Sequence, residues 1–335
     1  MKILVSGGAG YIGSTICSAL EDSGYKPIII DSLVTGKVEF VKNRTFYHGD
    51  IADYKILEKI FFEHPDIEYA IHCAALIVVP DSITNPYEYY RENVSKSNEF
   101  FKQLLNFGCK KLVFSSSASI YDTPPDFVVT EQSFIKPCSP YAKSKFMMEL
   151  ILQDFCSAYF GMKAISLRYF NPIGADPKMR SGNHHSNPSH VLAKLINTAI
   201  GHEAEFNITG VNWPTRDGSG IRDYIHVWDL AEAHVKAIEN FDTIFVKQMN
   251  PYCVINLGTG KGVTVKELLS AFENIYGKTI PKKETDPRPG DIAGSYANAD
   301  LAHKLLDWKA KLEIEKGIYD ALKWNKEKNN IFKSN

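Results

Sequence analysis

The sequence predicts an α/β protein: a doubly wound parallel sheet, followed by a smaller C-terminal α/β unit. Three observations carry that reading. Short apolar runs alternate with longer helical patterns through the first half, a glycine-rich turn joins the first run to the first helix, and the composition changes after Asn171-Pro172. Strands alternating with helices read as βαβ units, whose parallel sheet is covered on both faces.

The expected strands are residues 3–5, 28–30, 45–48, 69–72, 112–115 and 164–168, each a short apolar run bounded by polar or turn residues. Helical patterns fill the intervals. Residues 172–190 are rich in Pro, Gly, Asn, Ser and His and read as a loop. Beyond it the spacing predicts a helix near 190–200, a strand at 205–208, and helices near 229–240, 264–276, 299–306 and 315–325. The boundary between a first domain (1–171) and a second (172–335) falls near residue 171, with some later segments expected to return to the first domain.

The chain's 335 residues suit about two domains. A 44% hydrophobic and 23% charged composition is that of a folded globular chain rather than a disordered one. The net charge of −1 argues against a general binder of nucleic acid or anionic membranes. No apolar run is long enough to span a bilayer, and the opening run stops at Ser6-Gly7-Gly8 with no cleavage site expected after it. The six cysteines are scattered without a CxxC pair. They read as free thiols in a reducing cytoplasm, not as disulfides or a metal site.

Gly7, Gly10 and Gly13 surround Tyr11 and Ile12 in a G-x-x-G-x-x-G spacing between the first strand and the first helix. The first glycine permits a tight turn, the second lets a pyrophosphate approach the backbone, and the third lets helix and strand pack closely. The helix N-terminus offers free N–H groups to the anion. The reading is therefore a Rossmann-type nucleotide site. Asp31 ends the second strand, where a carboxylate can accept ribose hydroxyls and repel a 2′-phosphate. Ser32 and Leu33 bring no arginine to receive such a phosphate, so NAD is favoured over NADP.

Ser139-Pro140 predicts a helix start, with serine as N-cap and proline at N1. Tyr141 and Lys145 then share one face of the first turn. A tyrosine with pKa near ~10 is a poor base at neutral pH, and a neighbouring ammonium favours its phenolate. Such a pair can take a proton from a sugar hydroxyl during hydride transfer. Ser117 lies in a serine-rich strand end, where ligands of open α/β sheets bind.

These stretches together resemble the extended short-chain dehydrogenase/reductase family and, within it, the UDP-hexose 4-epimerases. Further matching stretches are Asp50-Ile51, Ala74-Ala75, Asn93, Arg168 to Pro172, Gly220 to Val227, Asn256 to Gly258 and Arg288 to Asp291, which span almost the whole chain. The resemblance implies bound NAD, with Tyr141 as base, Lys145 on the nicotinamide ribose and Ser117 assisting. It implies cofactor contacts at Asp50, Ile51, Ala74, Asn93 and Tyr169. Asn171, Arg222 and Arg288 would hold the substrate diphosphate, with Asp291 near the nucleotide ribose and His190 beside it. The implied reaction is reversible inversion at C4, converting UDP-galactose to UDP-glucose through a 4-keto sugar that turns about its diphosphate.

Relatives that dehydrate or decarboxylate their sugar carry an acidic residue just after the position of Ser117; here Ala118-Ser119 follow. Two departures stand out: Ile77 where the family often has lysine, and His190 where asparagine is usual. Ser295 lies near a position where a bulky tyrosine excludes N-acetylated sugars, so UDP-N-acetylhexosamines are an expected second substrate. Apolar residues on helices 87–107 and 141–160 exceed a single stripe, and the family's habit implies a four-helix homodimer. The competing readings are another nucleotide-sugar enzyme, such as a UDP-glucuronate 4-epimerase or a reductase, and a non-catalytic nucleotide sensor.

Overall fold

The computed structural model describes residues 1–185, 190–247, 249–287 and 291–332. Each of the six expected first-half strands forms, and all pair in parallel. Their side chains alternate between two apolar clusters. Ile3 and Val5 face one cluster, with Ile29, Ile71 and Val113. Leu4 faces the other, with Ile28, Ala70 and Leu112. A period of two with both faces apolar is what burial on both sides of a parallel sheet demands.

The sheet has a seventh strand, Tyr252–Leu257, which the sequence reading did not assign. It runs parallel to Lys163–Tyr169 at the sheet edge. A short apolar run buried on both faces has no alternation to betray it. The sheet order is 252–257, 163–169, 111–115, 69–72, 2–6, 26–31, 45–48. The order reverses between 2–6 and 69–72, and that reversal opens a crevice at the strands' carboxyl ends.

Helix Val227–Lys247 packs against helix Tyr11–Asp22 on one face of the sheet. Helices Tyr54–Glu63, Lys96–Asn106 and Pro140–Ala158 cover the other. The expected helix 87–107 forms as Pro86–Tyr90 and Lys96–Asn106, joined by a π-turn at Arg91–Ser95. A separate core gathers Leu192, Leu195, Phe206, Phe272 and Ile318 from the later segments. Strand Asn171–Ile173, which runs into the expected loop, pairs with Tyr224–His226.

The glycine turn explains itself sterically. Gly7 has φ +74°, and a Cβ there would lie 2.6 Å from the backbone nitrogen of Ala74. The loops after strands Lys2–Ser6 and Tyr69–His72 can therefore meet only through a residue without a side chain. A Cβ on Gly13 would lie 2.2 Å from the carbonyl oxygen of Gly7, whereas one on Gly10 would meet nothing nearer than 3.4 Å. Gly13→Ala is thus expected to lose about 1–3 kcal/mol of stability through backbone displacement. Gly10→Ala should stay close to the parent. Urea midpoints at unchanged slope measure the difference.

Candidate functional site

A cleft of about 1040 Å³ runs along the carboxyl ends of the strands and on to the later segments. That is just above the ~300–1,000 Å³ typical of a single small-molecule site, enough for more than one ligand. Gly7, Gly10, Tyr11, Ile12 and Gly13 line one part of it. The helix that starts at Tyr11 has no side-chain cap, so its first N–H groups are open to an anion. Tyr11 donates its hydroxyl to the Gly174 carbonyl at 2.7 Å and ties this helix to the later segments.

Asp31 lines the same end. One carboxylate oxygen accepts the Ala9 N–H at 2.9 Å and the other the Leu33 N–H at 2.8 Å. Burial raises its pKa, and those two bonds oppose the rise. Each oxygen keeps a lone pair, so ribose hydroxyls fit as donors. Asp50 and Ile51 also line the cleft, as does Ala74. Asp50 accepts the Ala52 N–H and binds Lys96, which in turn binds Glu92. Asn93 does not line the cleft. Its side chain clamps Leu76 instead, accepting the N–H at 2.7 Å and donating to the carbonyl at 2.9 Å, and it also donates to Ser144.

The proposed reactive pair sits where its sequence puts it. The Ser139 hydroxyl accepts the Ala142 N–H at 3.1 Å, Pro140 opens the helix, and Tyr141, Lys145 and Ser117 all reach the cleft. The electrostatics differ from the sequence expectation. Lys145 Nζ donates to the Ser115 carbonyl at 2.8 Å and lies over the Phe114 ring, not against the phenol. Burial brings its pKa down to about 8 and pushes that of Tyr141 up, with the Ser117 hydroxyl opposing the rise. Loss of water penalises the charged form of both groups, so the protein alone does not acidify Tyr141. Tyr169 stands nearby, its hydroxyl's pKa driven well up by burial.

Asn171, His190, Arg222, Asp291 and Ser295 line the other part of the cleft. Arg222 donates to the carbonyls of Ile221 at 2.7 Å, Ala293 at 2.8 Å and Ile292 at 3.2 Å. Gly294, at φ +109°, makes room: a Cβ there would fall 1.9 Å from Arg222 Nη1. Asp223 is no ion-pair partner for surface use. It is buried and accepts from Thr259, Gly260 and Ala297. Burial lowers the pKa of His190. Arg288 lies outside the described residues.

Sequence reasoning missed an apolar wall of the cleft. Leu76, Ile77, Val78, Val79 and Ile83 line it, as does Cys138, whose thiol donates to the Lys136 carbonyl at 3.2 Å. An unpatterned apolar run reads as core, and only the topology shows that this one faces the crevice. Among the described residues, no cluster of three His, Cys, Asp or Glu could hold a metal ion.

A UDP-glucose 4-epimerase of Bacillus subtilis (strain 168) is 38% identical over 343 residues, covering 100% of this chain and 99% of the relative. The crystal structure of a UDP-glucose-4-epimerase from Stenotrophomonas maltophila, with bound NAD and formylated UDP-arabinopyranose, superposes with a TM-score of 0.92 at 35% identity, covering 98% of this chain and 99% of that one. That of a Bifidobacterium longum UDP-glucose 4-epimerase, in complex with NAD+ and UDP, gives 0.91 at 34%, covering 99% and 100%. Residues 3–258 match the family described as NAD dependent epimerase/dehydratase, and the chain belongs to that family.

Proposed function

We propose that this chain is an isomerase that inverts C4 of a UDP-hexose with NAD as resident cofactor, interconverting UDP-galactose and UDP-glucose. The observation that carries the reading is a single cleft lined by the glycine turn and Asp31, by Tyr141, Lys145 and Ser117, and by Arg222 and Asn171. The open side of Gly10, the uncapped helix and the free lone pairs of Asp31 fit a dinucleotide.

When bound, NAD would supply a reversible hydride acceptor and, when oxidised, a positive charge in the cleft that Tyr141 lines. That charge favours the phenolate which burial opposes. Tyr141 takes the C4 hydroxyl proton, with Ser117 sharing the hydrogen bond. Lys145 would hold the nicotinamide ribose. Arg222 grips the diphosphate, its planar fork suited to phosphate oxygens and anchored from behind by backbone carbonyls. The 4-keto sugar would turn while the diphosphate stays, so that the hydride taken from C4 would return to its opposite face as Tyr141 gives the proton back to the C4 oxygen. Asn171 and Asp291 complete the nucleotide grip in this reading, with His190 beside them and Asp50, Ile51, Ala74 and Tyr169 along the cofactor. Asn93 serves it at one remove, through Leu76. Residues 1–171, joined by the strand and helix that return to the sheet, form the NAD-binding domain, and the remainder forms the sugar-binding one.

A homodimer is part of the proposal. Phe100, Phe101, Leu104, Met148 and Leu152 are core residues, whereas Tyr87, Met147, Leu150 and Phe160 are exposed beside the same two helices. All six cysteines are free thiols, as suits a reducing compartment, and the cytoplasm is the proposed one. Among the described residues, no helix is long and apolar enough to cross a membrane.

UDP-galactose given to the purified protein should yield UDP-glucose without net NADH. Tyr141→Phe should keep NAD binding while losing roughly 10²-fold or more in kcat; full activity would remove Tyr141 as base, and net NADH would mark a different enzyme. UDP-N-acetylglucosamine should also be a substrate, and Ser295→Tyr should abolish that activity while sparing UDP-galactose; an inactive parent on this sugar ends the idea. Light scattering should give the mass of two chains, and Leu150→Glu should shift it toward one.

A further inference from the structure

Tyr141, Lys145 and Glu149 follow one another at four-residue intervals on helix Pro140–Ala158, so they lie along one face. Opposite them stand Ser115, Ser116 and Ser117, at and just beyond the end of strand Lys111–Ser115. The two sets engage in register. The Ser117 hydroxyl acts on Tyr141, the Ser115 carbonyl accepts from Lys145 at 2.8 Å, and the Ser116 hydroxyl donates to Glu149 Oε1 at 2.5 Å. The first two contacts belong to the reactive site. The third lies behind it, where Ser116 and Glu149 are fully buried.

Glu149 is itself fixed. Arg168 Nε donates to Oε1 at 3.0 Å, and Arg168 Nη2 donates to Oε2 at 2.5 Å. Arg168 Nη1 donates to the Tyr121 hydroxyl at 2.8 Å, which donates to Asn256 Oδ1 at 2.7 Å. The carboxylate is thus held from strand Lys163–Tyr169 and, through Tyr121, from strand Tyr252–Leu257.

We propose that Glu149 is a positioning residue for the reaction: through Ser116 it sets the register of the serine strand end against the helix, and so the placement of Ser117 and Lys145 around Tyr141. The proposal deepens the reading of the site as an epimerase and rests on it. Ser116 has no route to substrate, so its hydroxyl acts only through its neighbours' geometry. Glu149 has a second effect. Its charge favours the ammonium of Lys145, as does Cys73, against the burial that disfavours it. The other titratable groups near Lys145 are His72, held neutral by burial with its pKa down to about 3, and Tyr141 and Tyr169. Removing the Glu149 charge therefore lowers the pH at which the Lys145 ammonium is lost.

The test compares Ser116→Ala, which leaves the Glu149–Arg168 pair intact, with Glu149→Gln. Ser116→Ala should lower kcat roughly 10-fold and Glu149→Gln roughly 100-fold, the scale of small displacements of reacting groups. KM for UDP-galactose should stay within about twofold, since neither residue lines the cleft. The alkaline limb of kcat should move to lower pH in Glu149→Gln and stay in place in Ser116→Ala. Phenolate absorbance, read in NAD-loaded protein as the difference from a Tyr141→Phe counterpart, should titrate at higher pH in Glu149→Gln. Parental kcat and pH profiles in both variants would overturn the proposal, and so would losses that only track the unfolded fraction in thermal melts. The phenolate titration needs no turnover. A parent that fails to interconvert the two UDP-hexoses would refute the functional reading, and the titration would still decide the role of Glu149.

Discussion

Two opposite charges taken out of water, Glu149 and Arg168, set the terms for the reactive centre. A buried carboxylate left alone costs several kcal/mol, and losing one partner of such a pair costs about 3–5 kcal/mol. The pair therefore persists only with near-ideal geometry, and that geometry joins a helix to two strands at once. A hydrophobic contact in the same place could slide. A bidentate ion pair with its remaining lone pairs satisfied by Ser116 has one arrangement. The reactive tyrosine inherits its position from that constraint, two turns along the same helix.

The cleft above is held differently at its two parts. At the glycine turn, backbone meets backbone, with Gly7 against Ala74 and Gly13 against Gly7, so the wall is as stiff as the sheet that carries it. Around Arg222 the wall is made of side chain and carbonyl, on a strand whose small sheet runs through Gly294–Ala297 to Val128–Val129 of the first half. Both parts thus hold their ligand on backbone, which suits a reaction in which the cofactor and the diphosphate stay and only the sugar turns.

Much of this was legible in the sequence. The strand–turn–helix glycines, Asp31, and the serine and proline before Tyr141 are local signals, because each acts within a turn or two of chain. The seventh strand was not legible, since its hydrophobicity has no period. The polarity of the reactive pair was misread for a related reason. Sequence spacing places Lys145 on the face of Tyr141, but cannot show that the Ser115 carbonyl takes the ammonium or that burial raises the phenol. Asn93 carried a motif's signal and turned out to serve the Leu76 backbone. Ion pairs such as Glu149 to Arg168 join residues far apart in sequence and leave no local trace.

The returning strand Tyr252–Leu257 has a consequence for how the polypeptide matures. Until it emerges from the ribosome, Lys163–Tyr169 is an uncovered sheet margin, with a row of unsatisfied amides able to recruit a neighbouring nascent chain. Arg168 also sits on that margin, and Asn256, which ends the relay through Tyr121, arrives only with the last strand. Synthesis of the first half alone thus yields neither a finished sheet nor a settled reactive centre.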